Sequence, residues 1–341
     1  MSIEPVDALR RIAFLLERSR ASTYRVKAYR EAAGTLLGVP EPEVHERVRS
    51  GTLRELPGIG PSTAAVVEQA VAGRVPDKLA ELEASAGGPL TEGGEGLQAL
   101  LRGDLHSHSD WSDGGSPIQE MVASAMEIGH DYLALTDHSP RLTVANGLTA
   151  ARLARQLTVV DGINAALGDS FRLLKAIEVD ILDDGSLDQS EEMLDRLDVR
   201  VASVHSKLRM DAPSMTRRMV AAVRDRHTNV LGHCTGRLVT GGRGTRPQSV
   251  FDAESVFTAC VESGTAVEIN SRPERMDPPD DLLTLAVELG CLFAIDTDAH
   301  APGQLDFQAY GCERAQRLGV PAERVVNSWP LDRLLEWAAP R

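Results

Sequence analysis

The sequence predicts an α/β protein: a βα-barrel of seven units preceded by a small all-helical domain. Three observations predict it. Beyond residue 101, apolar runs of strand length alternate with longer segments of helical period. The 341 residues suit a barrel of roughly 250 residues plus a small appendage. Histidines and carboxylates recur immediately after the strand-like runs, at the barrel face where catalytic groups converge.

The first segment opens with two helices, because apolar residues recur at helical spacing over 6–37 and Ser22 or Thr23 is placed to cap the second. Pro40 interrupts, and a third short helix fits 41–48. In Leu56-Pro57-Gly58-Ile59-Gly60-Pro61-Ser62-Thr63 the glycines permit a tight turn between two helices, the second starting with its amides exposed at Ser62 and Thr63. Such a start is a potential anion site. Residues 84–96 lose all periodicity and become rich in glycine. The expected domains are therefore 1–86, a linker over 87–100, and a barrel over 101–341. Strands are expected near 103–105, 132–136, 172–177, 199–203, 229–232, 266–269 and 292–295, with helices such as 118–128, 149–167, 215–226 and 281–289 between them.

Composition narrows the function classes. No apolar run approaches the roughly 20 residues of a membrane span, and the N-terminus lacks a secretory pattern, so a cytoplasmic protein is expected. The four cysteines (Cys234, Cys260, Cys291, Cys312) form no CxxC pair and read as reduced core residues. A net charge of −14 argues against binding nucleic acid by bulk electrostatics, although residues 1–100 carry a nearly balanced 12 basic and 14 acidic groups.

The first expected strand ends in Asp104-Leu105-His106-Ser107-His108, followed by Asp113; the second in Asp137-His138; the third in Glu178; the fourth in His205; the fifth in His233; the seventh in Asp298-Ala299-His300. The sixth contributes Glu268 and Asn270. A His-x-His pair leaving a strand points both rings to one face, and imidazole with carboxylate suits zinc, manganese or iron. Six of the nine histidines follow expected strands, which scattered core histidines have no reason to do. His45, His130 and His227 read as ordinary structural residues. Basic residues follow the same strand ends: Arg141, Lys207, Arg209, Arg237, Arg243, Arg246, Arg272 and Arg275. Of these Lys207, Arg237 and Arg272 are the expected phosphate contacts, because each closely follows a strand end.

These motifs, together with Asn146-Gly147-Leu148, Gly236-Arg237-Leu238 and Asn327-Ser328-Trp329-Pro330-Leu331, resemble the polymerase-and-histidinol-phosphatase (PHP) family, and within it the PHP domain of bacterial family X DNA polymerases. The resemblance implies a distorted (βα)7 barrel of PHP type and a metal-dependent phosphoesterase activity. It also implies three divalent ions, Mn²⁺ or Zn²⁺ being favoured over Fe²⁺. One would be held by His106, His108, Glu178 and Asp298, a second by Glu178, His205 and His233, and a third by Asp113, His138 and His300. Glu178, Asp298 and His300 are the catalytic candidates.

Tyr24-Arg25-Val26-Lys27-Ala28-Tyr29-Arg30-Glu31-Ala32-Ala33 and the Gly58-Ile59-Gly60 turn resemble the N-terminal helix-hairpin-helix domain of the same polymerases. DNA is the implied partner, gripped through its phosphates without regard to sequence by Gly58, Ile59, Gly60, Ser62 and Thr63. Two departures stand out. Only about 15 residues separate this domain from the barrel, so the polymerase core is absent; and residues 62–72 contain no lysine, Val66 standing where lyase-active relatives place their Schiff-base lysine. The leading expectation is a 3′-to-5′ exonuclease or 3′-phosphatase acting on DNA ends. The alternatives are a small-molecule phosphatase of the histidinol-phosphate type and a non-catalytic DNA-binding adaptor.

Overall fold

The computed structural model describes residues 3–242 and 244–341; Arg243, named above among the basic residues, lies outside them. The chain divides into a first unit ending at Pro89, to which Pro302–Gln304 also belong, and a second of Leu90–Ala301 and Leu305–Arg341.

The first unit is helical: α1 (Pro5–Arg18), α2 (Thr23–Leu37), α3 (Glu41–Ser50), α4 (Pro61–Val71) and α5 (Asp77–Ala86). The apolar stripe of α1 buries Leu9, Ile12, Leu15 and Leu16 completely or nearly so. Ser22 occupies the N-cap position of α2, but its side chain makes no capping bond; its carbonyl instead accepts from the amides of Arg25 and Val26. Between α1 and α2, Arg30 donates from Nε and Nη2 to the two carboxylate oxygens of Glu17 at 2.9 and 2.7 Å, with Glu17 only 4% exposed. Arg30→Ala leaves that carboxylate without its guanidinium partner, with the Gly303 amide still donating at 2.7 Å, and urea unfolding should show a loss of about 3 kcal/mol.

The second unit places seven parallel strands in sequential order: β1 (Gly103–Ser107), β2 (Tyr132–Leu135), β3 (Arg172–Asp180), β4 (Val199–Ser203), β5 (Val230–Leu231), β6 (Ala266–Asn270) and β7 (Leu292–Asp296). A parallel bridge between Ser107 and Ala299 brings the first strand against the last, giving a nearly closed barrel. The helices are α6 (Glu95–Gln98), α7 (Ile118–Glu127), α8 (Ala150–Leu167), α9 (Glu191–Leu194), α10 (Ala212–Val223), α11 (Ala253–Ser263), α12 (Asp280–Leu289), α13 (Gln308–Arg317) and α14 (Leu331–Ala338). One set of strand side chains, including Val199, Val201 and Val230, packs with Val326, Trp329 and Leu334; another, including Ile177, Val267 and Ile295, packs with residues of α8 and α10–α13. None of the described helices is long and apolar enough to cross a membrane.

Several boundaries differ from expectation, three of them for a visible reason. The aperiodic stretch over 87–100 ends in a turn of helix, α6, where Gly94 has φ +89° and an added Cβ would lie 2.5 Å from the Glu313 amide. That close approach carries Leu97 into the barrel core, a packing role that glycine-rich composition hides. Strand β3 runs three residues past its expected end, because Val179 and Asp180 still pair with Ala202 and Ser203 of β4. Strand β5 shortens to two residues, since the chain leaves the sheet through His233 with a left-handed φ of 21°.

Candidate metal centre

In β1 the pairing with β2 advances from Asp104↔Leu133 to Ser107↔Leu135, so one extra residue bulges where His106 sits. His106, His108 and Asp298 then meet: His108 Nε2 lies 3.3 Å and His106 Nε2 3.9 Å from Asp298 Oδ1. Glu178 enters from β3, with Oε2 3.4 and 3.6 Å from His106 and His108 Nε2, while Oε1 lies 3.2 Å from His205 and 2.8 Å from His233. Asp113 Oδ1 stands 3.4 Å from both His138 Nε2 and His300 Nε2. All nine expected ligands are thus gathered, in overlapping groups whose ligand atoms lie within 4.8 Å of one another. His45, His130 and His227 belong to none of these groups.

The donor set suits a cation. His106 Nε2, both ring nitrogens of His108 and Glu178 Oε2 are fully buried with no hydrogen-bond partner among the described residues. Native proteins seldom leave such atoms unpaired, and here they converge with carboxylates in the mixture that zinc, manganese or iron accepts.

Carboxylates behind the rings fix their orientation. Glu268 takes His106 Nδ1 at 2.5 Å and accepts from the His233 amide at 2.5 Å; Asp180 takes His205 Nδ1 at 2.5 Å. Asp137 accepts from Ser109, Ser112 and Gln156 at 2.5–2.9 Å, anchoring the loop that carries Asp113. Asp104 accepts from the His106 amide and the Thr297 hydroxyl, tying β1 to the end of β7. Asp180, Asp137 and Asp104 lie one or two residues from expected ligands, the signal that marks them; Glu268 shares the strand-end pattern, whereas Gln156, on a helix, has none. Glu268→Gln weakens both grips on the site, so metal affinity measured by competition with a chelator should fall roughly 10- to 100-fold.

Electrostatics divides the rings. Burial pulls His138 down, but Glu178 and Asp113 prevail and push it up to about 10. Burial likewise opposes the raised His106 and His205, which Glu178 holds up together with Glu268 and Asp180 respectively. Burial, with His300 and His138 nearby, drives His108 down to about 3. Burial pushes Glu178 and Asp298 up, yet the surrounding imidazoles and, for Asp298, Arg275 keep both well below the usual carboxylate range. Behind them burial lifts Asp104 to about 7, and burial with the nearby Asp104 raises Asp296 well above the usual carboxylate range.

A cavity of about 910 Å³ opens over the cluster, lined by Asp113, His138, His205, Asp298 and His300. Arg272 reaches it and donates from Nη1 to Asp298 O at 3.0 Å. Lys207 lies instead in an adjoining cavity of about 490 Å³, ion-paired to Asp183 and close to His205. Arg237 lines neither; its guanidinium donates to the carbonyls of Arg275 and Met276, because the left-handed turn at Gly236 aims it at that loop. Arg275, partly buried, lines the large cavity where Arg237 does not, with Nε 3.0 Å from Asp298 Oδ2. Cys234 packs beside Asp277.

In the hairpin, Gly58 takes φ +76°, a conformation that favours glycine. The Ile59 amide donates to Leu56 O and the Gly60 amide to Thr63 Oγ1 at 2.9 Å, while Thr63 is 2% exposed. Those groups close the turn itself; Ser62, in the first turn of α4, is exposed. Val66, at the expected lyase position, is buried.

Comparison with known proteins places a helix-hairpin-helix domain over residues 3–75 and a PHP domain over residues 104–272. The DNA polymerase/3′-5′ exonuclease PolX of Bacillus subtilis is 37% identical over 228 residues, 67% of this chain and 39% of that protein. The chain therefore spans about two fifths of that relative's length. A probable phosphatase of Thermoanaerobacter is 25% identical over 237 residues, 66% of this chain and 89% of that one. Among solved structures, a histidinol phosphate phosphatase from Lactococcus lactis gives a TM-score of 0.46 at 17% identity, over 64% of this chain and 92% of that one.

Proposed function

We propose that this chain, which joins a helix-hairpin-helix domain to the metal-dependent phosphoesterase domain of the PHP family, hydrolyses phosphoester bonds at the 3′ ends of DNA. The observation that carries the reading is the cluster of nine candidate ligands, five of which line a large cavity that meets a second at His205 and Leu142. The first unit supplies the grip on DNA, through the exposed start of α4 beyond the Gly58 turn. With a net charge of −14, that binding should be weak and salt-sensitive.

His106, His108, Glu178 and Asp298, with Asp113, His138, His205, His233 and His300, would hold divalent ions. Such ions supply charge neutralisation of the phosphoryl oxygens, a more acidic attacking water and stabilisation of the leaving oxygen. The chain's own contribution is orientation: Arg275 fixes Asp298 through Nε, and Arg272, bonded to Asp298 O, presents a guanidinium beside the place where the phosphate sits. Glu268 and Asp180 hold two imidazoles with their Nε2 atoms toward Glu178.

The test is incubation of the purified chain and Mn²⁺ with 3′-labelled single-stranded and gapped DNA, and separately with histidinol phosphate, against a His106→Ala control. Metal-dependent shortening of DNA, or release of its 3′-phosphate, that the variant lacks is the expected result. Phosphate released only from the small substrate overturns the reading in favour of a small-molecule phosphatase, and DNA retention without hydrolysis of either substrate favours an adaptor.

A further inference from the structure

One wall of the large cavity is built for something other than phosphate. The loop between β2 and α8 forms a turn of 3₁₀ helix over Thr143–Ala145 that leaves Val144 92% exposed, while its neighbours Ala145 and Leu148 are buried. Leu142, Val144 and Ala145 line the same cavity as the ligands His138, His205 and His300, with Leu238 also in its lining.

This exposure is held in place. Asn146 adopts a left-handed φ of 56°, and a Cβ on Gly147 would fall 1.9 Å from Ser139 O, so the loop closes tightly on itself. Its Leu148 amide donates to the carbonyl of His138 at 2.7 Å. Arg152 clamps it from α8, donating to Asn146 O at 2.7 Å and to Trp111 O at 2.5 Å, two residues before the ligand Asp113. A side chain exposed on a loop tied this closely to the metal ligands keeps a fixed position relative to them.

Metal-ligating side chains and the guanidinium donors of Arg272 and Arg275 at the floor answer a phosphate, but aliphatic carbon at the lip does not. A cavity of about 910 Å³ far exceeds one phosphate group and lies within the range of sites that enclose a drug-sized ligand. The nearest group to a scissile DNA phosphate that offers a broad apolar face is the nucleobase, one deoxyribose away, and sequence-independent binding of single strands uses that face.

We infer that Val144 and Leu142 form a platform for the nucleobase adjoining the scissile phosphate, making this loop the part of the site that distinguishes a nucleotide ester from a simple phosphate ester. The inference rests on the DNA-end reading above. It takes Asn146 and Gly147 as the residues that set the platform's height and Arg152 as its brace.

The experiment compares wild type with Val144→Ala and Val144→Asp on two 3′-labelled oligonucleotides, one normal and one whose last two residues are abasic. Val144 is exposed, so the variants should fold, and an unchanged melting temperature checks this. The wild-type preference for the base-bearing end, read as the ratio of KM values, should shrink by roughly fivefold in Val144→Ala and further in Val144→Asp, on the scale of one lost base contact. An unchanged ratio in a wild type that cuts DNA overturns the platform and leaves the DNA-end reading standing. A wild type that cuts no DNA overturns that reading instead. Calorimetric binding of thymidine 3′-phosphate against glycerol phosphate then decides the platform separately: selectivity lost in Val144→Asp supports it, and equal binding of the two ligands by wild type refutes it.

Discussion

Glu178→Ala is expected to lower kcat/KM by at least ~10³-fold, about 4 kcal/mol of transition-state stabilisation, and to strip bound metal at the same time. The two oxygens of this carboxylate face different rings, Oε2 toward His106, His108 and His138 and Oε1 toward His205 and His233, at 2.8–3.6 Å. No neighbouring carboxylate is placed to substitute for both, since Asp298 faces only His106, His108 and His300 among these rings and Asp113 only His138 and His300. Glu178→Gln keeps the volume but removes one of the charges that raise the pKa values of His106, His138 and His205 in the metal-free protein. Elemental analysis after gel filtration, alongside steady-state kinetics, separates the outcomes. A variant with undiminished metal content and less than a tenfold loss of rate would show that Glu178 is not the shared bridge.

Loading the metal-free protein at pH 7 should expel about two protons, one each from His106 and His138, whose pKa values are raised furthest above the ordinary imidazole value. His108, at about 3, is already neutral and contributes none. Apparent affinity should therefore fall steeply as pH drops, by up to roughly tenfold per unit for each proton. Calorimetric titration with Mn²⁺ in two buffers of different ionisation enthalpy counts the protons directly, and a value near zero would refute the assignment.

The same pairs set the stability of the metal-free form. His138 is raised from 6.5 to about 10, so its contribution is complete below pH 6.5 and is lost as pH climbs toward 10. Glu178 is depressed from 4.5, so its contribution holds above that pH and fades on acidification. The melting temperature of the metal-free protein should accordingly peak between about pH 4.5 and 6.5.

The barrel and the gathering of the ligands were legible because both follow from periodicity. Residues such as His106, Glu178 and Asp298 stand at or beside the ends of apolar runs, and a parallel barrel brings all such ends to one face. What periodicity does not report is which side chain lies behind which. Glu268 and His106 are 162 positions apart, and only the closure of β6 toward β1 through β7 makes them partners. The exchange of Arg237 for Arg275 has the same origin: both follow strands, and the backbone turn at Gly236 decides which one reaches the cavity. In the hairpin, the glycine pattern gave the turn but not the internal bonds that consume the Ile59 and Gly60 amides.

The extra residue in β1 means that the centre depends on a count as well as on chemistry. Side chains along a strand alternate between faces, so removing one residue from 104–107 would restore even pairing with β2 and reverse the facing of the positions that follow. Were Leu105 the residue removed, His106 and His108 would change face although every candidate ligand remained in the sequence. Related chains should thus tolerate replacement of Leu105 by other apolar side chains far more readily than a single insertion or deletion, and a variant library of this segment, scored for metal retention, should divide by length before it divides by composition.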